Sequence, residues 1–252
     1  MNKITLFGFN NLTKSLSFSL YKLHYLSSQN ERYNTFINER YSAEKLNALL
    51  TRICHAIGGN VLNVAKQDYQ PQGASVTLMI SEEAPAQSLS NPVAESIVTH
   101  LDKSHLCIHT YPEEAPQDGI AIFRADIELS TCGVISPLKV LNYVIEAFDA
   151  DVIDVDYRVR GMTRDRQGNK LFNIDRLHNL SDFLSLTMTN NYNICEHHFR
   201  EQNLFHAKLS KKTITLNDYF LEISIDNLTD KEQQSISVQL RREIKQLFTN
   251  TN

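Results

Sequence analysis

Between His100 and Glu113 the chain sets Ser104 beside Lys103, His105 next to it, His109 five residues on, and Tyr111 and Glu113 beyond; Cys132 follows in Ser130-Thr131-Cys132-Gly133. A serine hydroxyl that attacks the neighbouring peptide carbonyl cuts the chain at that bond, given a base and donors for the oxyanion. Imidazole and thiol groups move protons. One chain therefore holds the parts for cutting itself and for a later proton transfer.

Each of these residues also has a plainer reading. Ser104 and His109 suit a strand with polar faces, and Cys132 suits a small residue at a strand end. Residues an odd number apart on a strand point to opposite faces, so alternation does not bring His109 to Ser104, and a bend at the cleaved bond must do so. Cys54 and Cys107 read as packed residues. Cys195-Glu196-His197-His198 offers metal-ligating types, but neighbours on a strand point apart and no second cluster completes a tetrahedral set. That segment reads as a solvated loop.

The elements that must position these residues follow from periodicity. From Ser42 to Gly59, Leu46, Leu49, Leu50, Ile53, Cys54 and Ile57 recur at helical spacing, and Gly58-Gly59 supplies a stop. Residues 74–81 alternate, with Ala74, Val76, Leu78 and Ile80 on one side, which predicts a half-buried strand. Glu82 to Pro92 reads as a surface loop, and 105–111 and 120–129 as further strands. Ser136-Pro137 predicts an N-cap and a helix with Leu138, Leu141, Val144, Ile145 and Phe148 inward. Residues 153–160 alternate again. Thr229-Asp230-Lys231-Glu232 is a capping-box pattern before a last helix with Ile236, Leu240, Ile244 and Leu247 on one side. Strand and helix signals mix without strict βαβ alternation, so an α+β fold is expected, with a largely antiparallel sheet and helices on one face.

The 252 residues suffice for a sizeable core, and no Pro/Gly/Ser-rich linker divides them, so a single domain with a smaller C-terminal extension is expected. A formal net charge of -4 with scattered lysines and arginines gives no sign of a nucleic-acid footprint or a polybasic membrane patch, and points to a small-molecule partner. No stretch looks like a signal peptide or a membrane span, and the four cysteines show no disulfide pattern, so a cytoplasmic protein with reduced thiols is expected.

The 100–113 stretch resembles the bacterial S-adenosylmethionine decarboxylases, which make a pyruvoyl cofactor from an internal serine. The resemblance extends through Phe7 to Lys14, Gln67 to Ser75, Phe123 to Tyr143 and Asp156 to Gly161, and the length matches the longer bacterial form. It implies cleavage between Lys103 and Ser104 into chains 1–103 and 104–252, the latter including the extension from about residue 160. Ser104 would become the pyruvoyl group that takes the substrate amine as a Schiff base. His109 would act in processing, with Ser75 as a second hydroxyl, and Cys132 would be the proton donor in decarboxylation. Tyr111 and Glu113 would lie at the substrate pocket. The resemblance also implies a two-layer α/β sandwich, S-adenosylmethionine as substrate, an aminopropyl donor for spermidine as product, magnesium stimulation, and an oligomer of processed pairs. Asn10, Asn11 and Lys14 recur in it without a physical role beyond a polar turn. Two other readings stay open: the same chemistry on arginine or ornithine, and a non-processing paralogue that binds a ligand.

Overall fold

Small polar and apolar residues alternate from Ser15 to Leu20, and this places the central strand. In a computed structural model, which describes residues 11–26, 30–82, 104–113, 119–132, 135–165, 167–172, 177–221 and 225–251, strand β1 (Thr13–Tyr25) buries Leu16, Phe18 and Leu20 on one face. Ser15, Ser17 and Ser19 lie on the other. Strands β2 (Gly59–Asp68), β3 (Ala74–Glu82), β4 (Ser104–Pro112), β5 (Ile120–Cys132), β6 (Val152–Arg160), β9 (Tyr192–Phe199) and β10 (Leu204–Lys211) complete one eight-stranded sheet. Its order is β2-β3-β4-β5-β1-β6-β10-β9, antiparallel at every pairing. A separate small ribbon joins β7 (Thr163–Arg164) to β8 (Lys170–Leu171).

The inner face of the sheet packs against α1 (Asn30–Tyr41), α2 (Ala43–Ile57) and α3 (Leu141–Phe148), whose Ile37, Leu46, Leu50, Ile53, Leu141 and Ile145 join Leu16, Phe18, Val76, Leu106 and Ile108 in the main core. Ser42 caps α2 by accepting from the Lys45 N–H, and Gly58 ends it in the left-handed region at φ 90°. Cys54 lies wholly inside this core, and burial pushes its thiol up to about 11, which fits a packed role. The short α4 (Leu186–Asn191) adjoins β9. No described helix is long and apolar enough to cross a membrane.

The α+β class with a largely antiparallel sheet is as expected, with one addition. Helix α5 (Asp230–Thr249) opens on the Thr229/Glu232 capping box and lays Ile236, Leu240 and Ile244 over Leu23, Ile120 and Val152. These three strand residues lie on the outer face, so the C-terminal extension covers one end of that face while α1–α3 cover the inner one. Two local expectations are corrected. Ser136 stands at the N-cap of a 3-10 turn, Pro137–Val140, that leads into α3, but its side chain makes no cap bond. Cys195 to His198 belong to edge strand β9, held by its ladder to β10, and not to a loop. The expected loop at 82–92 lies outside the described residues but for the end of β3.

The extension is anchored by Asp151, which is wholly buried. Its carboxylate accepts the Leu23 N–H at 2.8 Å and the Tyr219 hydroxyl at 2.8 Å, with the Lys22 ammonium 3.8 Å away. Burial raises this carboxyl above the usual range, opposed by Lys22 and the two hydrogen bonds. Asp151→Ala would leave the Leu23 N–H without its acceptor and Lys22 without that charge. It is expected to cost about 3 kcal/mol, a fall of roughly 6–12 °C in the thermal midpoint. A fall of under about 1 °C in the same scan would remove Asp151 from this role.

Candidate active site

Ser104 is the first residue of β4, and strand alternation turns it to the inner face with Leu106, Ile108 and Thr110. It is 4 % exposed. Its Oγ accepts a hydrogen bond from the Cys132 backbone N–H at 3.2 Å, because β4 runs antiparallel to β5 with His105 opposite Ser130. The start of one strand and the end of the next therefore bring Ser104 and Cys132 together. Lys103, Gly133 and Val134 lie outside the described residues.

A clasp fixes the chain just past Cys132. The Lys14 ammonium, wholly buried, donates to the Ile135 carbonyl at 2.6 Å, and the Thr131 hydroxyl donates to the same oxygen at 3.4 Å. Lys14 thus has the role that its sequence pattern left blank. Asn11 gains one as well: its N–H donates to the Met162 carbonyl and its side chain accepts the Met162 N–H at 2.7 Å, where Gly161, at φ 81°, leaves no room for a Cβ against Asn11. A buried lysine in a run of alternating serines was a readable signal in Thr13–Tyr25, since lysine is rarely interior without a partner.

His109 belongs to a second group. It lies opposite Ser75 on β3 and Asp126 on β5, so that across-strand Cβ atoms are about 5 Å apart. All three occupy the outer face. Arg124 forks onto Asp126 and stacks over the Tyr111 ring, 4.7 Å from its centroid. Glu113 sits past the end of β4, its carboxylate accepting the Ile122 N–H at 3.0 Å and its carbonyl accepting from the Gln72 side chain at 3.4 Å. Gln72 and Gly73 form the turn into β3, and a Cβ on Gly73, at φ 100°, would press on the Thr110 carbonyl. The Gln67 to Ser75 motif is therefore the turn that delivers Ser75 to His109.

The two groups do not meet within one chain. Five strand residues separate Ser104 from His109, about 17 Å along β4, and the two side chains face opposite ways. Tyr111 and Glu113 are farther, about 23 and 30 Å along the same strand. Cys107 lies between Thr77 and Glu128, half-buried, with its thiol raised chiefly by burial and then by Glu128, which fits a packed residue and not a second acid. The Cys195 thiol approaches the His197 ring at 3.7 Å, while His198 turns to the other face of β9 and stacks on Phe205. Among the described residues no three His, Cys, Asp or Glu side chains converge on a metal position.

The chemistry possible at the Ser104 end is acyl transfer by a buried hydroxyl with an N–H donor in place, while the Cys132 side chain, opposite Thr13 on β1, turns to the outer face that also carries His109. A pyruvoyl group formed at position 104 would lie buried at the start of β4 with the Cys132 backbone N–H as a donor beside it.

The S-adenosylmethionine decarboxylase family model matches residues 37–161, a span that includes Ser104, His109 and Cys132. The chain is 46 % identical to the S-adenosylmethionine decarboxylase proenzyme of Pseudoalteromonas translucida over 261 residues, covering 100 % of this chain and 96 % of that one. The proenzymes of the same name from Xylella fastidiosa (strain M23) and Escherichia coli O45:K1 are 46 % and 45 % identical, covering 99 % and 100 % of this chain and 97 % and 98 % of theirs.

Proposed function

The chain belongs to the S-adenosylmethionine decarboxylase family, and from that premise we propose that it cuts itself between Lys103 and Ser104 and then decarboxylates S-adenosylmethionine, giving the aminopropyl donor for spermidine synthesis. The observation that carries this reading is the Ser104 hydroxyl, buried at the start of β4 and held there by the Cys132 backbone N–H.

Ser104 Oγ attacks the Lys103 carbonyl, the peptide becomes an ester, and β-elimination releases the upstream chain as its carboxylate and leaves dehydroalanine, which water hydrolyses to the ketone with release of ammonia. His109, with Ser75 beside it, takes and returns protons in this step. The pyruvoyl ketone left at position 104 supplies the electron sink that no ordinary side chain provides. Cys132, as a neutral thiol, gives the proton that replaces the lost carboxylate at the substrate α-carbon. Tyr111 offers an aromatic face to the adenine or the sulfonium, and Glu113 a carboxylate to ribose hydroxyls. No residue is assigned to the magnesium that the resemblance implies.

The fragments 1–103 and 104–252 stay together as a single domain in this reading. β1 comes from the first fragment and lies between β5 and β6 of the second, and β3 pairs with β4 across the cut. We also infer a second copy at the site. His109 and Ser104 are about 17 Å apart on opposite faces, so the His109 that serves one Ser104 comes from another chain, and the same holds for Tyr111 and Glu113.

Processed protein given carboxyl-labelled S-adenosylmethionine is expected to release labelled carbon dioxide, and prior treatment with phenylhydrazine, which captures ketones, to abolish the release. Labelled arginine and ornithine are expected to give none. Release from either of those, with S-adenosylmethionine inert, would overturn the substrate assignment.

A further inference from the structure

A half-open cleft of about 650 Å³ lies at the β9 edge of the sheet, lined by His178, Asn179, His198, Arg200 and Asn203. It belongs wholly to the C-terminal extension, where the proposed mechanism places no residue. Five strand spacings separate β9 from β4, about 24 Å, so the cleft is remote from Ser104.

The local structure is built to present these side chains. The Asn179 side chain caps the 3-10 turn at Leu180–Phe183. His198 lies flat on the buried Phe205 ring, centroids 3.9 Å apart at 16°. The turn between β9 and β10 carries Arg200 and ends at Asn203 in the left-handed region, with the Asn203 amide donating to the Phe172 carbonyl at 3.1 Å.

The lining carries one fixed positive charge, the Arg200 guanidinium, in a chain whose net charge is -4. Two imidazoles and a guanidinium line the cleft with no carboxylate among the lining residues. The nearby carboxylates are hydrogen-bonded: Asp182 accepts the N–H of lining residue Asn179 at 3.2 Å, and Glu196 accepts both the Ser181 N–H and its hydroxyl, at 3.0 and 2.7 Å. Loss of solvent, then the charges of Arg200 and His178, push the His198 imidazole below its ordinary value, which favours its neutral form.

We propose that this cleft binds a small phosphate-bearing anion, with Arg200 as the fork and His178, His198 and the two asparagines as further donors. A guanidinium matches two phosphate oxygens at once, and the remaining donors outnumber what a single carboxylate can accept. The volume falls in the range of small-molecule sites.

The test is a titration of the full processed protein with inorganic phosphate, read by the histidine ring resonances in NMR. His178 and His198 are expected to shift together and saturate below about 10 mM, while His55 and His105, remote in the fold, stay still. Arg200→Ala is expected to weaken binding about tenfold or more, and Arg200→Lys to recover part of the loss. Arg200 is exposed, so its replacement leaves the fold intact. Shifts that never saturate, or a dissociation constant unchanged in Arg200→Ala, would overturn the site. Succinate binding as tight as phosphate would overturn the phosphate assignment.

Discussion

A chain carrying Ser104→Ala will remain one 252-residue polypeptide of 28.9 kDa, whereas the unchanged chain will resolve under denaturing conditions into fragments 1–103 and 104–252, the larger blocked to N-terminal sequencing. Alanine removes the hydroxyl that attacks the Lys103 carbonyl and the atom from which the ketone is made, so both cleavage and decarboxylation fall to zero. His109→Ala is the informative companion. It keeps the hydroxyl and removes the base, a loss of about 10²- to 10⁴-fold in cleavage rate. His109 lies on the outer face with Ser75 and Asp126, while Ser104 faces inward. Co-expression of the two variants should therefore restore cleavage of the His109→Ala chain, because the Ser104→Ala chain still carries an intact His109 to lend. If the His109→Ala chain stays uncut in the mixture, the second-copy reading is wrong and His109 acts within its own chain or not at all. If the unchanged chain itself never cleaves, the whole processing mechanism falls and a non-catalytic relative is the better account.

Cys132→Ala is expected to separate the two activities. The contact between Cys132 and Ser104 Oγ runs through the Cys132 backbone N–H, which alanine retains, and Lys14 and Thr131 still hold the Ile135 carbonyl behind it. Cleavage should proceed at the unchanged rate within a factor of about three, the scatter of context effects on one retained bond. Decarboxylation should fall by about 10²- to 10⁴-fold, since the α-carbon loses its proton donor. Cys107→Ala is the control. Its thiol is half-buried between Thr77 and Glu128, away from the Ser104 end, and its loss should leave turnover nearly untouched. Equal loss of cleavage and decarboxylation in Cys132→Ala would instead mark Cys132 as a residue that shapes the strand end.

Part of this was legible from local pattern. The alternation at 74–81 and 153–160 and the helical spacing from Ser42 to Gly59 returned as β3, β6 and α2, because a half-buried element writes its face into its own residues. The same alternation stands in Ser15 to Leu20 and, with its lysine, marks the central strand β1. The β9 edge strand looks like a loop in sequence since exposed, polar Cys195 to His198 carry no buried face to announce it. The Ser136-Pro137 signal marks the start of the turn into α3 correctly, with proline at its first position, and misses only that the serine side chain makes no cap bond.

The sequence by itself determined the reacting groups: a serine beside the bond to be cut, a histidine, a thiol, and the family to which their spacing belongs. Side-chain chemistry is local, and a residue type in its motif declares it. Only the tertiary structure decided which of these groups meet. Antiparallel pairing of β4 with β5 puts Ser104 beside Cys132, residues 28 apart in the chain. The registers of β3 and β5 put Ser75 and Asp126 on either side of His109, and the pleat turns that trio away from Ser104. Pairing register and face come from the packing of the whole sheet against its helices. No short window of residues contains that information.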